Sequence, residues 1–290
     1  MNYKDDFAVF ILSHGRADNL ITLDTLNKQK YTGKIYIIID DTDKQIDEYK
    51  KLENDRIKVI VFDKEKAAEK TDTIDNFKKM NIVVYARNKT WDIAEELGLK
   101  YFLVLDDDYV EFNCRYNKDD KLKSYHIKNL DEVFKNMLDF LINTNADVVA
   151  LAQSGDFIGG KDGTQIKKRI LRKAMNSFFC RTDRRLEFKG STNEDATMYV
   201  LEGGRGKLIM TYTGISLTQQ LTQQNKGGLT DIYLEQGTYV KSFYTVIASP
   251  SNVKVRSMGW KNKRLHHNVA WNYVAPKIIN ERYKKWVRKR

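Results

Sequence analysis

Residues 101–108 read YFLVLDDD, five apolar residues that run without a break into Asp106, Asp107 and Asp108. The run is too short for a helix and rich in aromatic and β-branched side chains, which is the pattern of a strand covered on both faces. Strands of that kind belong to parallel α/β sheets, where ligands collect outside the carboxyl ends of the strands. The three aspartates therefore stand where a ligand would bind.

The neighbouring sequence repeats the theme. Before the strand, Asn88–Leu97 has helical spacing, with Trp91, Ala94 and Leu97 on one face and Gly98 placed to end it. Further upstream, residues 7–13 (FAVFILS) and 34–40 (KIYIIID) are continuous β-branched and aromatic runs, and 57–62 reads as a third strand. An amphipathic stretch carrying Leu20, Leu23 and Leu26 lies between the first two, and a charged stretch of helical propensity, Lys64–Lys79, follows the third. Alternating strands and helices predict βαβ units and a largely parallel, Rossmann-like sheet. Downstream, Asn129 and Glu132 form a capping pair for a helix with Phe134, Met137, Leu138 and Leu141 on one face, and residues 147–152 read as another strand. Beyond that the pattern changes to hairpins, with Gly203-Gly204 as a tight turn. A boundary near 155 divides residues 1–155, a Rossmann-like nucleotide half, from residues 156–290, the basic half of the same domain. The echo LTQQLTQQNKGG at 217–228 reads as a loop or lid.

The strand ends define one polar rim. The first strand exits to Ser13, His14, Gly15 and Arg16, the second to Asp40, Asp41 and Asp43, and the fourth to Asp106–Asp108. Mg²⁺ and Mn²⁺ prefer carboxylate oxygens and take one or two from protein while phosphates supply others, so the triplet suits a divalent cation; its structural alternative is a cluster that turns the chain and caps a helix. Arg87, ahead of the Asn88 helix, would meet a diphosphate beside a helix N-terminus. Asn193-Glu194-Asp195 offers a carboxylate to deprotonate an acceptor hydroxyl, or simply a helix cap. His266 and His267 are metal ligands or surface residues. Trp260, Trp271, Tyr273, Tyr283 and Trp286 stack on bases or anchor the C-terminal segment.

Charge is distributed unevenly. Of the net +11, residues 161–190 carry +7 and residues 254–290 carry +11, leaving the remainder at −7. Basic segments confined to the later chain point to a polyanionic partner, or to a solvated basic face. Two cysteines, Cys114 and Cys180, are too few for a disulfide scaffold and lack zinc spacing. No segment resembles a signal peptide or a membrane span, so a cytoplasmic protein is expected.

The order SHGR, IIIDD, ARN, LDDD and NED resembles a GT-A glycosyltransferase. More narrowly, FAVFILSHGRADN and VLDDDY resemble the TET-associated glycosyltransferases of phages, a family associated with adding sugars to hydroxymethylated pyrimidines in DNA. The likeness implies a GT-A fold, Mn²⁺ or Mg²⁺ as cofactor and a UDP-sugar as donor. Asp40 or Asp41 would meet the uridine part of the donor, Arg87 the diphosphate, and Asp106 with Asp108 the ribose and metal; Ser13, Arg16 and Asp107 complete the candidate donor contacts. Asp195 would be the base, beside Glu194, and His266 would complete the metal shell, with His267 its competitor. The acceptor would be DNA carrying modified bases, gripped by segments 161–190 and 254–290. The competing expectations are a GT-A enzyme acting on a glycan, lipid-linked or protein acceptor, and a non-catalytic nucleic-acid-binding module. A nucleotidyltransferase would call for a Gly-rich phosphate loop, which the sequence lacks.

Overall fold

The computed structural model describes residues 3–119, 121–157, 160–163, 174–175, 177–220, 240–258 and 263–274. Its centre is a sheet whose first four strands are the apolar runs of the sequence: β1 (Phe7–Leu12), β2 (Ile35–Asp40), β3 (Ile57–Phe62) and β4 (Tyr101–Asp106). They pair in parallel in the order β3-β2-β1-β4. A short α1 (Tyr3–Asp6) precedes β1, and the crossovers carry α2 (Ile21–Lys28), α3 (Ile46–Lys50), α4 (Lys64–Glu69) and α5 (Val84–Glu96). Successive side chains of β1 enter opposite cores. Phe7, Val9 and Ile11 pack with Leu23 and Leu26 of α2, whereas Ala8 and Phe10 pack with Trp91 and Ala94 of α5.

The sheet then leaves the parallel pattern. After β4 come the hairpin β5 (Tyr109–Lys118) and β6 (Lys121–His126), helix α6 (Leu130–Thr144) and β7 (Val148–Gln153). These are followed by β8 (Phe178–Arg181), α7 (Glu194–Gly204) and β9 (Ile209–Gln219). The full order is β3-β2-β1-β4-β8-β7-β9-β5-β6. Strand β8 is antiparallel to both of its neighbours, β4 and β7, while β9 lies parallel to β7 and antiparallel to β5. Two strands from beyond residue 155 are thus threaded between strands from before it, and one sheet spans both sides of the boundary. Phe134 of α6 holds the centre of one core, with the rings of Phe7, Tyr31, Phe112 and Phe179 around it at 5.3–6.4 Å. The chain finishes with α8 (Lys241–Ala248), an antiparallel pair β10 (Val253–Met258) and β11 (Arg264–Val269), and the short α9 (Trp271–Val274).

The Asn129 cap is made as expected, its side chain accepting from Glu132 N at 3.4 Å. Three other expectations are corrected. Gly203-Gly204 is not a hairpin turn but the end of α7. A Cβ on Gly203 would come within 2.9 Å of the Val274 carbonyl, so that glycine serves a close approach of two segments. The charged stretch after β3 is helical only to Glu69, and residues 70–83 form a loop in which Ile74 and Lys78 take positive φ. Helix α5 begins at Val84, four residues before the expected start, which moves Arg87 from ahead of the helix into its first turn. Of the LTQQ echo, Leu217–Gln219 end β9 and residues 221–228 lie outside the described residues, as do Trp260, Tyr283 and Trp286.

Candidate active site

The triplet marks the point where β4 stops and the chain turns into β5. Thr22 of α2 fixes that turn. Its hydroxyl donates to the Asp106 carbonyl at 2.6 Å and accepts from Tyr109 N at 2.9 Å, and its own amide donates to the Asp107 carbonyl at 3.0 Å. The extended register therefore ends at Asp106, and the three carboxylates take three different sets of partners. Asp107 is buried and accepts from Arg16 Nη1 at 2.7 Å and Ser13 Oγ at 2.6 Å. Burial raises its pKa against the pull of Arg16 and Ser13. Asp106 faces Arg87 Nη2 at 3.3 Å. Asp108 accepts from Gln219 Nε2 through both oxygens, at 3.1 and 3.0 Å, and its carbonyl accepts from Gln220 N. Burial first, and then the Asp106 carboxylate, push Asp108 up to about 6.

Arg87 joins this end of β4 to the start of α7. Its Nε donates to Glu194 at 2.9 Å, and both side chains are only 6% exposed. Burial alone would lower the arginine pKa, but Asp106, Glu194 and Asp195 together hold it above its ordinary value. Glu194 is raised in turn by burial, and repulsion from Asp195 and Asp106 adds to that shift while Arg87 opposes it. The three carboxylates raise Arg87, whereas Glu194 shifts upward chiefly because it is buried. Arg87 Nη1 is buried without an acceptor among the described residues. Asn193, just before Glu194, has φ 58, and its amide donates to His267 Nδ1 at 3.2 Å. Asp195 Oδ1 accepts from Ala196 N at 2.6 Å in the first turn of α7.

The ends of β1 and β2 interlock beside the aspartates. Asp40 accepts from His14 Nδ1 at 2.8 Å, from Lys64 Nζ at 3.1 Å and from the Thr42 hydroxyl. Burial raises its pKa, but the His14 and Thr42 hydrogen bonds and the charges of His14 and Lys64 outweigh it and hold the carboxyl well below its ordinary range. Asp43, also buried, accepts from Gly15 N at 2.7 Å, and Ser13 Oγ lies 2.9 Å from the Tyr49 hydroxyl. Asp41 is exposed and accepts from Lys64 N at 3.0 Å.

The expected residues therefore fall into linked groups: Ser13, Arg16 and Asp107; Asp40 and Asp41 with Lys64; and Arg87, Glu194 and Asp106, with Asp195 and Asp108 alongside. His266 lies on β11. Its ring lies tilted against that of His267 with centroids 4.3 Å apart, its Nδ1 donates to the His267 carbonyl at 2.7 Å, and His267 is the one that meets Asn193. Among the described residues no three His, Cys, Asp or Glu are disposed to hold a metal. Two residues of the rim carried no functional signal in the sequence. Lys64 looked like one charge in a solvated helix, and Gln219 like part of a loop.

A cavity of about 370 Å³ opens elsewhere, lined in part by Lys70, Asn88, Asp92, Arg185, Glu202 and Lys207. It includes no rim residue, and Asp92 and Glu202 pair with Arg185 and Lys207 there, so convergent chemistry rather than cavity size locates the site.

The family model of the TET-Associated Glycosyltransferases matches residues 7–228. The chain belongs to that family. This TET-associated glycosyltransferase carries every rim residue inside the matched span, which ends before His266. The mixed sheet with its parallel β3-β2-β1-β4 half is the Rossmann-like GT-A arrangement that the resemblance implied, and the family makes the chain an enzyme, not a non-catalytic binding module. No curated protein matches it. Among the described residues no helix is long and apolar enough to cross a membrane. Of the basic segments, residues 164–173, 176, 259–262 and 275–290 lie outside the described residues.

Proposed function

We propose that this glycosyltransferase moves a sugar from a UDP-sugar to the hydroxymethyl group of a modified pyrimidine in DNA, with Mn²⁺ or Mg²⁺ held by Asp108 and Asp106. The observation that carries the reading is the surplus of carboxylate at the end of β4. Asp108 is raised to about 6 by burial and by Asp106, and Arg87 lies among the carboxylates of Asp106, Glu194 and Asp195. Such a site favours a further cation, and hard divalent ions accept one or two protein carboxylates when phosphates and water complete the shell. A bound metal would supply positive charge to the departing nucleoside diphosphate.

The chain's own groups then have separable tasks. Asp40 and Asp41 would meet the uridine part of the donor, Ser13 and Arg16 would hold Asp107 and through it the turn, and Arg87 Nη1 would offer a free donor to a phosphate oxygen. In the transfer the acceptor hydroxyl oxygen forms a bond to the sugar C1 while the bond from C1 to the diphosphate oxygen breaks. The electron pair leaves with UDP, and the hydroxyl proton goes to Asp195. Glu194 is committed to Arg87, which leaves Asp195 as the available base.

The test is UDP release and DNA mass with Mn²⁺, using unmodified DNA and DNA containing 5-hydroxymethylpyrimidines. A sugar increment on the modified DNA alone is expected, and Asp108→Ala should lower the rate at least about 100-fold with the fold retained. Full activity in that variant sinks the metal assignment. Transfer to a glycan, with DNA untouched, sinks the acceptor.

A further inference from the structure

Helix α7 starts from Asn193, and an asparagine at that position ordinarily turns its side chain onto the first amides of its own helix. Asn193 does not. Its backbone is left-handed, with φ 58 and ψ 29, and its side chain makes no cap hydrogen bond. The side-chain amide turns outward instead, donating to Thr245 Oγ1 of α8 at 2.5 Å and to His267 Nδ1 of β11 at 3.2 Å. Both amide protons are thereby used, and with its Nδ1 lone pair engaged His267 carries its proton on Nε2.

The two acceptors are held in turn. Thr245 is fully buried, and His267 is 7% exposed. Thr245 Oγ1 also lies 3.1 Å from Thr197 Oγ1, one turn along α7, so α8 meets that helix at two successive points. The residue before it, Tyr244, donates to Asp75 Oδ2, which accepts from Ser191 Oγ as well, each at 2.6 Å. Residues 191 and 193 are thus both tied to α8, one through Asp75 and one directly. Glu194, pinned to Arg87, and Asp195 follow at once. Tyr244, Thr245 and His267 all lie past residue 228, where the family match ends.

We infer that α8 and β11 form a clasp that positions the proposed base: Thr245 and His267 hold the Asn193 side chain, and Asn193 so held sets the direction in which α7 presents Asp195 to the acceptor. The inference rests on the reading of Asp195 as base and adds to it a part of the chain that the family match does not include. Thr245 and His267 are positioning residues and touch no reacting atom. The left-handed joint is what transmits their hold. Asparagine visits that conformation when a local hydrogen bond supports it, so releasing the side chain lets the joint relax and swings the first turn of α7. A displacement of about 1 Å at a reacting group lowers the rate on the order of 10²-fold.

The experiment measures kcat, donor KM and melting temperature for wild type, Asp195→Asn, Asn193→Gly, Thr245→Val, Thr245→Ser, His267→Phe and His267→Asn, together with hydrogen exchange in the peptide spanning residues 191–197. Asn193→Gly keeps the left-handed backbone accessible and removes only the tether. That variant, Thr245→Val and His267→Phe should each lower kcat at least about tenfold, move donor KM less than about twofold and quicken exchange in the peptide. Thr245→Ser and His267→Asn each put an acceptor oxygen back and should return kcat to within about threefold of wild type. A lowered melting temperature with kcat per folded molecule unchanged would mean that the anchors only stabilise the fold, and would overturn the clasp. If Asp195→Asn loses turnover while the three tether variants keep wild-type kcat and exchange, the clasp is wrong and the base stands. If Asp195→Asn keeps full turnover, the base reading falls and takes the clasp with it.

Discussion

Glu194 and Asp195 are adjacent carboxylates with opposite circumstances, and substitution should separate them. Glu194→Ala removes the buried acceptor of Arg87 Nε, which should cost about 1–3 kcal/mol in urea denaturation. Asp195→Asn touches no such pair and should leave stability close to wild type while turnover falls about 10²- to 10⁴-fold. The reverse pattern would exchange the two roles. Asp40 gives a pH signature. Its pKa is depressed in the folded state, so the stability it contributes is present above the ordinary aspartate value of about 3.9 and is lost as pH falls toward the folded value. Asp40→Asn should lower the urea midpoint at pH 7 and flatten its decline in acid; an unchanged acid limb would mean that His14 and Lys64 do not hold this carboxylate. The sequence placed Asp40 on the rim because it ends an apolar run. That Lys64 turns inward to meet it was invisible, since a charged residue in a charged stretch has no pattern by which to report burial.

At the scale of elements, what the sequence revealed follows from how each element is covered. Strands β1, β2 and β4 are buried on both faces and so are spelled as nearly unbroken apolar runs, whereas the edge strand β3 exposes Lys58 and Val61. Strands β5 and β6 are half-exposed, mix charge with apolar residues, and escaped the reading. Helix α5 was started late because Val83, at its N-cap, makes no side-chain cap, so its true beginning carries no Ser, Asp or Asn to announce it. Gln29 shows how the missed hairpin is held. It is 1% exposed, its amide donates to the Phe112 and Ile127 carbonyls at 2.8 and 2.6 Å, and its carbonyl accepts from Phe112 N at 2.9 Å. One side chain from the end of α2 thus stands in for a strand. Gln29→Leu would leave Phe112 N and the Ile127 carbonyl unmatched, while the Phe112 carbonyl keeps Ile127 N, and should cost at least about 2 kcal/mol; a loss below about 1 kcal/mol would show that β5 finds other partners.

For the whole molecule, the consequence lies in the order of synthesis. As the chain leaves the ribosome, β4 is complete by residue 106, but the strand that seals its open side, β8, begins only at Phe178. For more than seventy residues of elongation an apolar strand edge waits unpaired, and β7 emerges into the same predicament. Unpaired edges of this kind recruit other chains. A chain ended at residue 155 should therefore collect in the insoluble fraction when produced in cells, and one ended at 220, which includes β8 and β9, should partition more into the soluble fraction; equal solubility of the two would show that the early strands find another cover. The threading of β8 between β4 and β7 thus makes the newborn enzyme dependent on holding chaperones, or on fast elongation, through the middle third of its translation.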